Sequence, residues 1–249
     1  MEYFGGGKNV MLATGGSADP PSQRNENIKW IFSTSLKREQ LANGKSKELP
    51  GDGRVRLVIA CRQEERKGTD IVIASMPSIL RSIPNATLDV IGDGALLPKL
   101  KKQAISLGLN DNIRFHGKVV HSKVIDLMSK GHLFCYPTNA SEGFPKVVLE
   151  ALASGLPVIT TKVSVLPDLI RSGGGVILNS PNASGLAETV LNICSDSAKY
   201  EEMSSMAIEV ARQYSLESWR DFIGETLRDA WNVRSLSNLT ESRRRILNA

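Results

Sequence analysis

Two periodicities alternate along most of this chain. Between residues 55 and 215, short continuous apolar runs of strand length give way in turn to stretches in which apolar residues recur at helical spacing. The run 55–61 (VRLVIAC) has the nearly unbroken aliphatic character of a strand covered on both faces, as in a parallel sheet. Residues 70–83 follow, with Ile71, Ile73, Ala74, Ile79 and Leu80 on a helical apolar face. Further strands are predicted over 86–92, 112–117, 132–137, 158–161 and 175–178. Helices are predicted over 96–107, 123–130, from Pro145 onward, 167–171, 184–195 and 199–214. This alternation predicts an α/β fold, a doubly wound parallel sheet whose ligands sit at the carboxyl ends of its strands.

The two ends depart from the pattern. Residues 1–54 hold glycine-rich stretches at 5–7 and 15–16 and few apolar runs, too little to build a core of their own. Within them, 28–33 predicts a strand, and Ser33, Thr34 and Ser35 offer hydroxyls to cap a helix over 36–43. Residues 44–53 read as a linker. At the other end, 217–231 carries Trp219, Phe222, Ile223, Leu227 and Trp231 as one amphipathic stripe, which needs a surface to cover. Three units are expected: 1–54, 55–215 and 216–249.

Composition narrows the function classes. Thirty-one Lys and Arg against 26 Asp and Glu give a net charge of +5, a modest excess compatible with a phosphate-bearing ligand. Aromatic residues make up only 5%, and no RNP, zinc-finger or helix-turn-helix signature accompanies the charge, so nucleic acid is not an expected partner. Cys61, Cys135 and Cys194 are far apart, odd in number and set in apolar surroundings, which reads as reduced core thiols in a cytoplasmic protein. No apolar signal core opens the sequence, and no run reaches the roughly 18 apolar residues of a membrane span. Membrane contact would be peripheral, with Arg243–Arg245 in the tail as its candidate. There is no Asp-x-Asp and no His/Cys cluster, so no metal is expected.

The candidate chemistry sits in two stretches. Residues 139–160 (NASEGFPKVVLEALASGLPVIT) set Glu142 and Glu150 eight residues apart, around a Gly-Phe-Pro turn. Pro145 fits a first helical position, where its missing N–H costs nothing. Eight residues of helix span roughly 12 Å and rotate by about 80° beyond two turns, so the two carboxylates cannot share a proton. They are better placed as two anchors on an elongated ligand, with the free N–H groups of the helix start between them as a seat for phosphate. The second stretch, RQEERKG after the first predicted strand, brings Arg62 and Lys67 into one loop at a strand's carboxyl end, a clamp for a diphosphate. A solvated charged loop, neutralised by Glu64 and Glu65, is the alternative. Gly92-Asp93-Gly94 lacks the third glycine of a dinucleotide fingerprint and predicts a tight strand-to-helix turn. His116 is a turn residue with a secondary candidacy for base contact. His121 and His132 read as surface and core, and Lys146 either touches phosphate or is solvated.

Taken together, the two stretches resemble the retaining glycosyltransferases of the glycogen-synthase-like GT-B class, family 4 (glycosyl transferases group 1), specifically their Rossmann-like C-terminal donor-binding domain. That family carries Glu, seven residues, Glu, as EGFG or EGFP followed by an apolar run, EA and a Gly-Pro-Val strand, and G-R-x4-K-G upstream. Here Cys61 replaces the usual glycine, and residues 163–168 (VSVLPD) depart from the family's Gly-Gly-x-Pro-Glu loop. The resemblance implies a nucleoside-diphosphate sugar as donor substrate and no separate cofactor. Arg62 and Lys67 would bind its phosphates, and Glu142 would approach the sugar hydroxyls. Gly143, Phe144, Pro145, Lys146 and Val147 would contact sugar and diphosphate, and Glu150 would bind the ribose. It also implies that FSTSLKREQLA is a remnant of an acceptor domain and that the last helix crosses back toward one. The chain is then expected to transfer a hexose incompletely by itself, and to self-associate or take a partner subunit. The rival is a module that binds a nucleotide sugar or a partner without turnover; a nucleotide-sugar epimerase is a further alternative.

Overall fold

The computed structural model describes residue 5 and residues 9–16, 20–42, 44–141, 143–179 and 181–233. The first strands among the described residues are β1 (Met11–Thr14) and β2 (Ile28–Ile31), paired in parallel with Met11 opposite Ile28. A one-turn helix, α1 (Arg38–Ala42), follows. β1 is absent from the sequence expectations, because four residues between glycine-rich stretches carry no periodicity to read. The capping expectation also changes here. Thr34 Oγ1 accepts from Leu36 N at 3.1 Å, whereas Ser35 turns its hydroxyl away from its own helix to Glu150.

Six strands then form one parallel sheet: β3 (Arg56–Ala60), β4 (Thr87–Ile91), β5 (Ile113–Gly117), β6 (Leu133–Tyr136), β7 (Val158–Thr161) and β8 (Gly175–Leu178). Their order is β5-β4-β3-β6-β7-β8. The chain therefore builds outward from β3 through β4 to β5, returns to the other side of β3 as β6, and builds outward again. The expected doubly wound α/β fold is present.

Period-two alternation divides the core between the two faces. Leu57 and Ile59 of β3 and Leu133 and Cys135 of β6 face α2 (Thr69–Ser82), α3 (Leu97–Ser106) and α7 (Ala183–Cys194). Val58, Ala60, Phe134 and Tyr136 face the opposite layer of α4 (His121–Ser129), α5 (Lys146–Ala153) and α6 (Leu166–Ile170). α8 (Ser197–Arg212) reaches both, with Tyr200 in the first cluster and Ala207, Val210 and Ala211 in the second. Leu36 and Leu41 belong to the second cluster as well, so the N-terminal segment shares its core with α5.

α9 (Leu216–Trp231) starts beside that segment: Leu216 N donates to Leu36 O at 2.8 Å and Arg38 N to a Glu217 carboxylate oxygen at 2.8 Å. None of its residues is buried, and Trp219, Phe222 and Trp231 are 36%, 37% and 49% exposed. Among the described residues, no helix is long and apolar enough to cross a membrane. The Arg243–Arg245 tail lies outside the described residues.

The start of β6 carries a pH-sensitive element. His132 Nδ1 accepts from Arg56 N at 2.9 Å, so the imidazole is used in its neutral form. Burial, with Lys47 and Arg56 nearby, lowers its pKa from the ordinary 6.5 to about 4. An unfolded chain takes up this proton near pH 6.5 and the folded one only near 4. The stability from this group is therefore complete above pH 6.5 and drains away as the pH falls toward 4, by about 2 kcal/mol after discounting for partial exposure. His132→Asn keeps an acceptor near the Nδ1 position and removes the titration. Denaturant midpoints measured from pH 7 to pH 4 should fall less steeply in the variant, and parallel curves would remove His132 as a source of acid sensitivity.

Candidate functional site

A cleft of about 790 Å³ opens at the carboxyl ends of the strands, where the winding reverses between β3 and β6. β3 delivers Ala60, Cys61 and Arg62 to its wall, with Glu64 and Lys67 from the loop beyond. β4 delivers Ile91, Gly92 and Asp93; Lys118 and Val119 follow β5, and Tyr136 ends β6. Phe144, Pro145, Lys146, Val147 and Glu150 close the cleft from the α5 side. The two sequence stretches, 71 residues apart from Gly68 to Asn139, thus meet across one opening. Of the expected donor contacts, Gly143 is exposed but does not line the cleft, and Glu142 lies outside the described residues.

The phosphate-side loop is held by its neighbour. Arg66 adopts a left-handed backbone with φ of 70°, a strained choice for a side chain this size. Its carbonyl accepts from Asn139 N at 2.7 Å and Thr138 Oγ1 at 3.0 Å, and its guanidinium donates back to Asn139 O at 2.7 Å. These bonds tie loop 62–68 to loop 138–140. Gly68, which precedes α2, sits so close to β6 that a Cβ there would lie 2.5 Å from Pro137 O. The glycine after Lys67 is therefore required by contact as well as by turn geometry. Arg62 itself points into solvent, with Nη1 3.3 Å from Glu64 Oε1 and a side chain 74% exposed, so no strong internal partner competes for it.

The α5 start corrects one expectation. Pro145 is not the first helical residue but the one before it, extended at φ −81° and ψ 90°, with Lys146 opening the helix. Its carbonyl accepts from Val148 N at 3.0 Å, the role of a capping residue, and its lack of an N–H is immaterial there as well. Phe144 packs beneath this turn against Phe32 and Tyr214, at ring-centre distances of 6.1 and 5.6 Å. Lys146 is exposed and Val147 half-buried.

Glu150 is 7% exposed, yet it lines the cleft. Its Oε1 accepts from Ser35 Oγ at 2.8 Å and meets His121 Nε2 at 2.9 Å. The spacing of Glu142 and Glu150 could not reveal either donor, since Ser35 is 115 residues away and His121 was read as a surface residue. α4 begins two residues earlier than expected, after an extended Val120, and this puts His121 at the helix start facing the cleft. A histidine at the first turn of a helix that follows a strand's carboxyl end was the available signal. His116 takes a different place. Its Nε2 lies 2.7 Å from Asp89 Oδ1, Arg56 Nε approaches the other oxygen at 3.6 Å, and neither residue lines the cleft. The candidacy of His116 for base contact is not supported by this position.

Arg62, Lys67, Lys118 and Lys146 line the opening together with Glu64, Asp93 and Glu150. The cations lie on the β3 loop, after β5 and at the α5 start, which suits an extended ligand carrying phosphate in its middle. Among the described residues, no group of three His, Cys, Asp or Glu is placed to hold a metal ion.

Comparison with known proteins agrees with this architecture. The chain is 29% identical over 183 residues to the phosphatidylinositol N-acetylglucosaminyltransferase gpi3 subunit of Schizosaccharomyces pombe, covering 74% of this chain and 39% of that one. It is 27% identical over 171 residues to a GDP-mannose-dependent alpha-(1-6)-phosphatidylinositol monomannoside mannosyltransferase of Mycobacterium tuberculosis, covering 66% of this chain and 43% of that protein. The chain thus spans about two fifths of the length of these relatives. HepE from Anabaena, solved with UDP, shares the fold with a TM-score of 0.72 at 21% identity, over 88% of this chain and 64% of HepE. The C-terminal domain of the group 1 family protein LpcC from Francisella tularensis aligns with a TM-score of 0.58 at 22% identity, over 73% of this chain and 94% of that domain. Residues 42–210 match the family described as Glycosyl transferases group 1, a span that contains every described residue lining the cleft, and the chain belongs to that family.

Proposed function

We propose that residues 55–215 form the donor-binding domain of a retaining glycosyltransferase that moves a hexose from a nucleoside-diphosphate sugar to an acceptor. One observation carries the reading: Arg62 and Lys67, the start of α5 and Glu150 all line the cleft at the point where the sheet's winding reverses. The diphosphate lies between the β3 loop and the N–H groups of Lys146 and Val147. As the sugar leaves, negative charge gathers on the diphosphate, and Arg62, Lys67 and the helix start stabilise it by fixed charge and dipole. Glu150 accepts from the ribose and Glu142 from the sugar. The donor is a substrate, and the reading invokes neither cofactor nor metal. The names of the two curated relatives, an N-acetylglucosaminyltransferase subunit and a GDP-mannose-dependent mannosyltransferase, support a sugar nucleotide as donor. The word "subunit" in the first supports a partner chain on the acceptor side.

The division of roles between the acids has a direct test. Glu150→Gln should weaken a free nucleoside diphosphate and the full sugar nucleotide alike, by about 1 kcal/mol for one hydrogen bond to a charged group made neutral. Glu142→Gln should weaken only the sugar nucleotide. Calorimetry with UDP, GDP and their hexose conjugates reads both, and equal effects from the two substitutions would sink the assignment. The same preparations, incubated with acceptor and lipid extracts, separate transfer from binding. Donor binding with slow hydrolysis and no transfer is expected of this chain alone, since every described residue lining the cleft lies between residues 60 and 150.

A further inference from the structure

We infer that His121 and Ser35 are positioning residues that aim the Glu150 carboxylate at the ribose, so that discrimination between ribose and deoxyribose belongs to a three-residue unit rather than to Glu150 alone. The inference rests on the donor-binding reading above and adds residues that neither sequence motif contains.

The geometry is asymmetric. Both donors converge on one oxygen, Oε1, at 2.8 and 2.9 Å, and among the described residues Oε2 receives no hydrogen bond. An ionised carboxylate offers about four lone-pair sites on two oxygens. A pairing that only stabilised the fold would gain by spreading its donors over both. Concentrating them on Oε1 fixes the side-chain torsions of a residue that is 7% exposed and keeps the second oxygen available. The donors also come from independent parts of the chain. Ser35 precedes α1 in the N-terminal segment, and His121 opens α4, its side chain 59% exposed and itself lining the cleft. Because Nε2 meets a carboxylate, its proton is on Nε2, and the ring donates.

A hydroxyl donated to Oε2 completes the set; a ligand without it leaves that carboxylate oxygen short of a partner. Sites built to hold a hydroxyl reject the analogue that lacks it far more strongly than apolar pockets reject a missing methylene. Preference for the ribonucleotide should therefore follow how rigidly Glu150 is held.

The experiment uses the full chain with UDP, GDP, their 2′-deoxy counterparts and inorganic pyrophosphate, by calorimetry. The intact chain should prefer the ribonucleotide by about tenfold, the value of one hydrogen bond to a charged group. His121→Ala and Ser35→Ala should each shrink that preference several-fold and leave pyrophosphate affinity unchanged. His121→Gln, whose amide nitrogen reaches about as far as Nε2, should restore it. A ribose preference that survives His121→Ala, or a loss of pyrophosphate affinity in parallel with it, would overturn the inference while leaving the nucleotide-binding reading intact. If the intact chain binds neither UDP nor GDP, both fall.

Discussion

Arg62→Ala and Lys67→Ala are each expected to lower affinity for a nucleoside diphosphate by about 1.5–3 kcal/mol, between roughly tenfold and more than a hundredfold, because on the proposed function each removes a charge-assisted hydrogen bond to phosphate. The folded chain should hardly register the first change. Arg62 is 74% exposed and its one described bond, to Glu64, is a surface pair of little consequence. Binding and stability are thus separable at this position. Both side chains share the β3 loop, so the double variant should lose less than the sum of the single losses if one phosphate is held by both. Calorimetry with UDP and GDP decides the matter. Unchanged affinity in both variants would return the loop to an ordinary solvated turn and remove the clamp from the proposed mechanism.

Gly92→Ala should have the largest effect on folding of any change considered. Gly92 follows β4 with φ of 110°, and a Cβ there would lie 1.9 Å from the carbonyl oxygen of Cys61, which follows the adjacent strand β3. Neither the torsion nor the contact can be relieved by a side-chain rotation, because the obstructing atom is backbone. A loss of about 4 kcal/mol or more is expected, in the range where a local structure gives way rather than adjusts. Chemical denaturation of the variant should show a midpoint far below that of the intact chain, or no cooperative transition. The same glycine lines the cleft, so nucleotide binding should fall with it. A variant with an unchanged midpoint would mean that β3 and β4 part here at little cost.

How much of this was readable in advance depends on whether the information is local. The six sheet strands were, since a strand covered on both faces must be apolar at consecutive positions, and the bounds differ from expectation by a residue or two at most. The stripe on α9 was also local, and none of its residues is buried. The turn at residues 92–94 followed from glycine alone. β1 was not readable, because its order comes from pairing with β2 rather than from its own composition. The motif stretches located the cleft by residue type, yet they said nothing of His121 or Ser35. A polar residue on a loop has no periodic neighbour to betray what stands opposite, and the bond from Ser35 to Glu150 joins positions that only the finished fold brings together. Pro145 was placed one residue too far into the helix for a similar reason: proline satisfies the capping position and the first helical position almost equally, and the carbonyl geometry decides.

The clasp between Arg66 and residues 138–139 has a consequence for how such a protein can diverge. The turn at residues 51–53 is packed more loosely, since a Cβ at Gly51 or Gly53 would meet no atom within 4 Å. Loop 62–68 is counted twice, once by the left-handed Arg66 that must meet Asn139, and once by Gly68 pressed against Pro137. An inserted residue in either loop would displace the other. Descendants of this sequence are therefore free to exchange side chains around the opening, while the number of residues on each side of it is inherited as a pair.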